Sequence, residues 1–505
     1  MNKIQVFFGK FNQSRTLSRL FEMLGKRLFF VLIIISFMFQ AAWMAISTVY
    51  PMIFDEYYHF GLIKIYSQQL LPFINTQPPG VLVYGDVTRY GSYLFHYLMS
   101  FPYRFIEIFT HDMAQQIIAL RFINIVFFVL ALFVFRAILK RANISPVAIN
   151  LSILCFTLIP ITSYLSANIN YDNLLILGFT FFAYFGQSII FGISKNKLKF
   201  CDGMSFLIIG LLSTLVKSSF LPIFIAGVLF IIYLVAKNRS KIKFARVIHQ
   251  SSALCRIILC VTFAISLGLF VERYVVNTIV YRSPTPDCQK VLSIGACSSD
   301  HPWIRNYVRE QKVKNMGTSD LVGPVDYFVD PWLVSMVSGN NLSAANSKDG
   351  VPQNIGRKLP IIEDAIWLLF IVVGIVLIIK FRQMLASIHV RFMLTCVASY
   401  FIALFYMNYS QYIHLHTPAG IGSRYFLLFI PYFIAIGFNY TANIVKNKLV
   451  LLILGILLIA MMTQGGGFSS YIINSNSTWF WDNQRVVESN SVMKRIINPL
   501  VKENI

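Results

Sequence analysis

The chain has 505 residues, of which 56% are hydrophobic and only 13% are charged. Apolar runs of about twenty residues recur along it, a pattern typical of helical membrane proteins and not of soluble domains. The formal net charge of +22 suggests a nucleic-acid partner, but Lys and Arg cluster between the apolar runs, as in cytoplasmic loops under the positive-inside rule. We therefore predict an all-α, polytopic transmembrane helical bundle without a nucleic-acid partner.

The first apolar run, at about 28–48, follows a polar and basic segment at 1–27. The run is too long for the core of a secretory signal, and no small-residue cleavage site follows it, so we predict a retained span. Its amino end is expected in the cytoplasm. The polar stretch at 49–116 is predicted to form a large outer loop with short helices along the membrane interface.

The later spans are assigned from apolar runs and from the basic clusters that end them. Lys217 interrupts the run at 203–236, which is too long for one span and has basic residues on both flanks. These features predict a hairpin of two short helices with Lys217 at its outer tip. The other predicted spans lie at about 117–137, 146–165, 171–193, 253–271, 361–379, 390–408, 424–444 and 449–462.

The total is about eleven spans, and it predicts a multi-pass protein of the plasma (inner) membrane with an extracytoplasmic carboxyl terminus. The predicted divisions are a cytoplasmic segment at 1–27, a transmembrane domain at 28–462 and an outer tail at 463–505. Within that tail, Trp479 and Trp481 are expected at the membrane interface.

Cysteine usage adds information about the compartment. Cys288 and Cys297 lie in a second polar loop, at 272–360, which the topology places outside. Their short separation allows a disulfide in an oxidising space, and two free thiols are the alternative. The other five cysteines lie in apolar runs or in a basic loop: Cys155, Cys201, Cys255, Cys260 and Cys396.

Charged residues of both signs gather at the predicted outer boundary, where charges are costly to place without a reason. The first span is followed directly by Phe54-Asp55-Glu56-Tyr57-Tyr58-His59. An anionic membrane substrate would need such a mixture of acids and cations at one depth. The other members are Asp172 at the start of a span, Lys217 at the hairpin tip, Arg424 at the start of another span, and Arg89 and His96 in the first outer loop.

These landmarks resemble the GT-C superfamily of integral membrane glycosyltransferases, in which an acidic pair opens the first outer loop. More particularly, the chain resembles a branch of predicted polytopic membrane proteins grouped with GT-C. The resemblance covers ordered motifs from about 50 to 435. They are Asp55-Glu56, Asn170-Tyr171-Asp172-Asn173, Leu215-Val216-Lys217-Ser218 and Gly422-Ser423-Arg424-Tyr425-Phe426.

The resemblance implies inverting transfer of a sugar from a polyprenyl-phosphate donor to a glycan, lipid or protein acceptor on the outer face. Asp55 is then the expected general base, assisted by Asp172. Lys217, Arg424 and Arg89 are the expected phosphate-binding residues. Glu56 is expected to orient Asp55 or to bind a divalent cation. The chain has no P-loop or Gly-rich dinucleotide turn to hold a nucleotide sugar.

Each residue also has a structural interpretation. Asp55 or Asp172 can cap a helix, Lys217 can extend to the headgroups from a helix end, and Arg424 can anchor its span. The candidate metal ligands are His59, His414 and His416, although the sequence fixes no coordination geometry. Two other functions remain open: a lipid or solute transporter or flippase, which requires polar or broken helices near the midplane, and a non-catalytic scaffold for envelope assembly.

Overall fold

The computed structural model describes residues 15–242, 247, 251–316, 321–341, 360–445, 448–473 and 475–498. Within these ranges the chain forms α-helices joined by turns and short 3-10 or π segments, with no strand. An isolated antiparallel bridge joins Thr48 to Phe480. The prediction of an all-α helical bundle is confirmed.

The main helices are numbered in chain order. Those of the first half are α1 (Arg15–Gly25), α2 (Arg27–Ser47), α3 (Glu56–Ser67), α4 (Leu94–Phe109), α5 (Met113–Arg141), α6 (Pro146–Leu158), α7 (Pro160–Ser166), α8 (Tyr171–Ser194), α9 (Phe200–Val216) and α10 (Leu221–Lys237). Those of the second half are α11 (Ala253–Tyr281), α12 (His301–Met316), α13 (Pro360–Ile379), α14 (Ile388–Leu415), α15 (Ile430–Ile444), α16 (Lys448–Gly465) and α17 (Gln484–Ile497).

Shorter helices connect these elements. They are Cys288–Val291, Ile294–Cys297, Pro324–Tyr327, Phe328–Leu333, Val334–Ser338, Phe381–Ala386 and Gly467–Ile473. The predicted span at 424–444 begins as a 3-10 segment, Ser423–Leu428, and continues as α15. Pro431 lies in the first turn of α15, where proline's fixed φ favours a helix start and its missing N–H costs nothing.

Among the described helices, eight are long and apolar enough to cross a membrane, and a ninth span results if α6 and α7 are taken together. These two helices meet at 75°, and Pro160 opens the second of them. The 17-residue α9 is a shorter apolar helix, and with α10 it forms the hairpin expected around Lys217. The chain is therefore a multi-pass membrane protein, while the count of about eleven spans stays a prediction.

The helices differ in how they are covered. In α8, 67% of the most apolar window is buried, compared with 6% in α11. The exposed face of α11 is apolar, with Ile257, Val261 and Ile265 one turn apart and each more than half exposed. Such a face is suited to lipid and not to water. α8 is thus the central helix and α11 a peripheral one.

The two ends of the bundle differ in charge. At one end, the basic end, α2 begins and α5 terminates, and the Arg136 guanidinium lies 4.8 Å from the ring centre of Phe30. The only carboxylates in the described segments at this end are those of Glu22 and Asp202. The basic residues there include Arg27, Lys140, Arg141, Lys195, Lys197, Lys199, Lys237, Arg239 and Arg382.

The opposite end, the site end, carries the two long polar loops and the described part of the tail. Cys288 and Cys297 form a disulfide there. Trp479, expected at the membrane interface, is instead fully buried, and the carbonyl oxygen of Trp479 accepts the backbone N–H of Val49 at 2.6 Å. The Trp43 indole donates to Asn490 of α17 at 2.9 Å. The tail therefore packs against the end of α2.

Candidate functional site

The turn after α2 places two adjacent acids in different surroundings. Phe54 and Asp55 have φ angles of 70° and 66°, a left-handed conformation that is unfavourable for residues with a side chain. Side chains from the segment before α8 hold this turn in place. Asn170 donates to the Phe54 carbonyl at 2.7 Å and Asn168 donates to the Ile53 carbonyl. Strain of this kind, fixed by surrounding contacts, is typical of functional sites.

Glu56 points into the protein and is fully buried. Its carboxylate forms a two-bonded pair with Arg121 of α5, with Nε–Oε1 and Nη2–Oε2 distances of 2.8 Å each. The backbone N–H of Met52 also donates to Glu56, at 2.7 Å. Arg121 in turn donates to the Ala45 and Thr48 carbonyls. This partner set ties α2, α3 and α5 together, so we assign Glu56 to support of the fold, in place of the expected role beside Asp55.

Asp55 points outward, and 57% of its side chain is exposed. It occupies the position before the first residue of α3, yet its side chain makes no capping hydrogen bond. Its partner is Arg424, whose Nη2 donates to Oδ2 at 3.1 Å. The capping interpretation of Asp55 therefore does not apply.

Three further charges lie behind Asp55 and are nearly buried. Lys217 Nζ lies 2.5 Å from Asp172 Oδ1, and Arg424 Nε lies 3.6 Å from Asp172 Oδ2. Asp172, Lys217 and Arg424 expose 2%, 7% and 13% of their side chains. We call Asp55, Asp172, Lys217 and Arg424 the four-charge cluster.

These contacts test the structural alternatives for the three nearly buried residues, which were a helix cap for Asp172, a headgroup contact for Lys217 and a lipid anchor for Arg424. Asn170 caps α8, because its side chain accepts the Asp172 N–H at 2.9 Å, so Asp172 is not needed as the cap. Lys217 is ion-paired and buried instead of extended toward headgroups. Arg424 bridges two carboxylates, a geometry that a lipid anchor does not require.

Aromatic rings form the walls of the cluster. Lys217 Nζ lies 4.4 Å from the ring centres of both Tyr171 and Tyr425. The Arg424 guanidinium lies 5.3 Å from the Phe54 ring centre. Rings at these distances stabilise cations while excluding water, so electrostatic interactions among the nearly buried Asp172, Lys217 and Arg424 act in a medium of low polarity.

Two polar atoms of the cluster are buried without a hydrogen-bond partner: Arg424 Nη1 and Asp172 Oδ2. Buried polar groups are normally paired, and an unpaired one calls for an explanation such as a bound ligand. The cluster holds two carboxylates and two cations, so its formal charge is zero. An arriving anion therefore has to compete with Asp55 or Asp172 for the cations.

A pair of buried histidines lies beside the cluster. His59 Nδ1 is 2.8 Å from His96 Nε2, and the His59 ring packs edge-on against Tyr171 at 4.5 Å. Burial lowers the pKa of His96 to about 3. Burial, together with His96 and the positive charges of Arg424 and Lys217, holds the pKa of His59 well below its usual range. Both rings are therefore neutral near pH 7.

The remaining candidates lie outside the four-charge cluster. Arg89 pairs with Glu272 of α11 at 3.0 Å, and both side chains are about one-third exposed. His414 is exposed and bonds to the Ser410 carbonyl through Nδ1, while His416 follows the end of α14. Within the described ranges, no three His, Cys, Asp or Glu residues are grouped as a metal site.

Sequence reasoning missed two supports of the site. Arg121 lies well inside the predicted span at 117–137, and an arginine within an apolar run is a recognisable signal of a buried partner. Asn168 lies two residues before the Asn-Tyr-Asp-Asn motif, and its side chain holds the turn at Ile53. Neither residue's partner could be identified from spacing, because the contacts join distant segments.

Comparisons of this chain with protein-family models, with curated proteins and with solved structures find no match.

Proposed function

We propose that this protein is a membrane glycosyltransferase that moves a sugar from a polyprenyl-phosphate donor to a glycan, lipid or protein acceptor at the site end. The observation that carries this proposal is the position of Asp55. It is an exposed carboxylate held 3.1 Å from a guanidinium group that has a buried nitrogen without a partner. An acceptor hydroxyl can reach the carboxylate, and a phosphate oxygen can satisfy the guanidinium.

The reaction is an inverting displacement at the anomeric carbon. Asp55 accepts the proton of the acceptor hydroxyl as its oxygen forms a bond to that carbon. The bond from the carbon to the phosphate oxygen breaks, and its electron pair leaves with the lipid phosphate. Lys217 and Arg424 stabilise the negative charge that develops there. A lipid phosphate is a tolerable leaving group, so little acid catalysis is needed.

The neutral four-charge cluster links donor binding to release of the base. A donor phosphate that bonds to the unpaired Nη1 of Arg424 shares the guanidinium charge with the Asp55 carboxylate, which bonds to Nη2, and so weakens the contact of Asp55. Asp172 keeps Lys217 in place through its 2.5 Å contact. Donor binding therefore leaves Asp55 free for the acceptor hydroxyl, and we assign Asp172 a positioning role.

The charge asymmetry of the bundle supports an extracytoplasmic site in the plasma (inner) membrane. Segments rich in Lys and Arg occur at the basic end, and such segments stay in the cytoplasm. The four-charge cluster lies at the other end, where lipid-linked sugars replace nucleotide sugars as donors. On this orientation the amino terminus is cytoplasmic and the carboxyl terminus is outside.

The test is transfer from radiolabelled polyprenyl-phosphate sugars by the purified full chain, with envelope glycans, lipids and proteins as acceptors. We expect transfer by the wild type and a loss of about 10²–10⁴-fold in turnover for Asp55→Asn, the size of a general-base contribution. Asp326→Asn, which alters an exposed acid of the loop at 272–360, should retain full turnover. Equal turnover of the two variants would contradict the role of Asp55.

The broken pair α6–α7 favours a transporter or flippase, because discontinuous helices form the sites of many transporters. Against it, the four charges lie at one end of the bundle instead of at mid-depth. Movement of a fluorescent polyprenyl-phosphate sugar across a bilayer, without transfer to any acceptor, would support the transporter function instead.

A further inference from the structure

A second group of charged side chains lies at the basic end, on the seam between α2 and α5. Arg27 opens α2, and Arg136 and Lys140 lie one turn apart near the end of α5. The Arg136 guanidinium is 4.8 Å from the ring centre of Phe30, which follows Arg27 by one helical turn. Residues three or four positions apart share a helix face, so the three cations converge on one seam.

These cations have no anionic partner within the described part of the chain. None of the three forms an ion pair there, and Arg136 Nε is buried without a hydrogen bond. The charge of Arg27 repels both Arg136 and Lys140. Arg27 also follows Lys26 at the positive end of the α2 dipole, where a cation is unfavourable. The group would be stabilised by a bound anion.

The surroundings of the cations are those of a lipid site. Leu28 and Leu32 of α2 are 68% and 54% exposed, and Leu130 and Phe133 of α5 are 46% and 44% exposed. Phe133 packs edge-on against Phe30 at 5.2 Å, so the apolar surface continues directly from the cations toward mid-membrane. A soluble anion would use the charges alone, whereas a phospholipid would use both surfaces.

We propose that Arg27, Arg136 and Lys140 bind the phosphate headgroup of an anionic phospholipid whose acyl chains lie along Leu32, Leu130 and Phe133. Basic pockets between transmembrane helices are suited to such headgroups. The planar Arg136 guanidinium can donate two parallel hydrogen bonds to the phosphate. This site is at the opposite end from the four-charge cluster and does not depend on the proposed transfer reaction.

The test is native mass spectrometry of the purified full chain with added dioleoyl phosphatidylglycerol or dioleoyl phosphatidylcholine. We expect the wild type to retain phosphatidylglycerol preferentially. The combined variant Arg27→Gln, Arg136→Gln, Lys140→Gln should bind it on the order of a hundredfold more weakly, because each cation contributes roughly fivefold. The matched control is Lys195→Gln, Lys197→Gln, Lys199→Gln, which removes three cations from a neighbouring loop and should bind as the wild type does.

Equal retention of the two lipids by the wild type, or an equal loss in both triple variants, would overturn the proposal. Displacement of phosphatidylglycerol by millimolar inorganic phosphate would also overturn it, since the site would then bind free anions. Arg136→Lys provides a milder test that keeps the charge at this position. It should weaken binding severalfold because the two-bonded geometry is lost, and unchanged binding would exclude the assigned role of Arg136.

Discussion

Asp55 and Glu56 are neighbours in the chain, and each pairs with an arginine from a distant helix or loop, but their environments are opposite. Glu56 is fully buried and shares four hydrogen bonds with Arg121 and two backbone N–H groups. Asp55 is 57% exposed and has one such bond, to Arg424. An acidic pair in a sequence therefore need not act as a pair. Here one acid supports the fold and the other is exposed beside the buried charges.

The reason for the difference is the left-handed turn at Phe54 and Asp55. It directs successive side chains to different sides before α3 begins, and Asn168 and Asn170 hold it in that conformation. A buried charge pair is costly to break, because the remaining partner is left uncompensated. An exposed pair is worth much less. The two acids should therefore respond differently to the same substitution.

The largest effect on stability is expected for Glu56→Gln. It leaves the Arg121 guanidinium buried without a counter-charge, so the free energy of unfolding should fall by about 3–5 kcal/mol. Thermal unfolding of the purified protein in detergent is the measurement. Asp55→Asn is the matched control, with an expected loss of at most about 1 kcal/mol. Similar losses for the two variants would remove the distinction between the acids.

A smaller effect, on donor binding and on the stabilisation of the departing phosphate, is expected for Arg424→Lys. The positive charge remains, but the planar guanidinium that contacts the carboxylates of both Asp55 and Asp172 is lost. Charge-assisted hydrogen bonds are worth about 1.5–3 kcal/mol, so the KM for the polyprenyl-phosphate sugar should rise by roughly 10–100-fold. Arg89→Lys, in the exposed pair with Glu272, should leave KM unchanged. An unchanged KM and an unchanged kcat for Arg424→Lys would argue against phosphate binding.

The histidine pair beside the cluster predicts a gradual dependence of stability on pH. Folded His96 has a pKa near 3, below the ordinary value of 6.5, so between these values the unfolded chain binds more protons. Stability should therefore fall as pH decreases from about 6.5, by at most about 1.4 kcal/mol per pH unit for each proton taken up. His96→Gln should reduce this slope in melting temperatures recorded between pH 7 and pH 4.5. Parallel slopes would contradict the buried neutral state.

The sequence was sufficient to predict the all-α fold and several landmarks of the site. Its hydrophobic runs located most spans, and Lys217 was predicted at the hairpin tip because two flanking basic clusters require a turn between them. The positions at which the helices end were less predictable. α11 continues to Tyr281 and α14 to Leu415, because polar residues at a membrane boundary are equally compatible with a loop and with a helix that extends into water.

The sequence does not reveal which charged side chains pair with each other. The Glu56–Arg121 and Arg89–Glu272 pairs join residues 65 and 183 positions apart. No local pattern separates these structural pairs from Asp172–Lys217, which lies in the candidate site. Only the three-dimensional arrangement shows which acids are buried and which are exposed.

The central claim is that the exposed Asp55 carboxylate faces the extracytoplasmic space, and cysteine labelling tests it most directly. Tyr57→Cys places a thiol at a half-exposed position, in a background that lacks the five unpaired cysteines. A membrane-impermeant maleimide added to intact cells should label this thiol. Labelling only after the membrane is permeabilised would place Asp55 in the cytoplasm and contradict the proposed transfer from lipid-linked sugars.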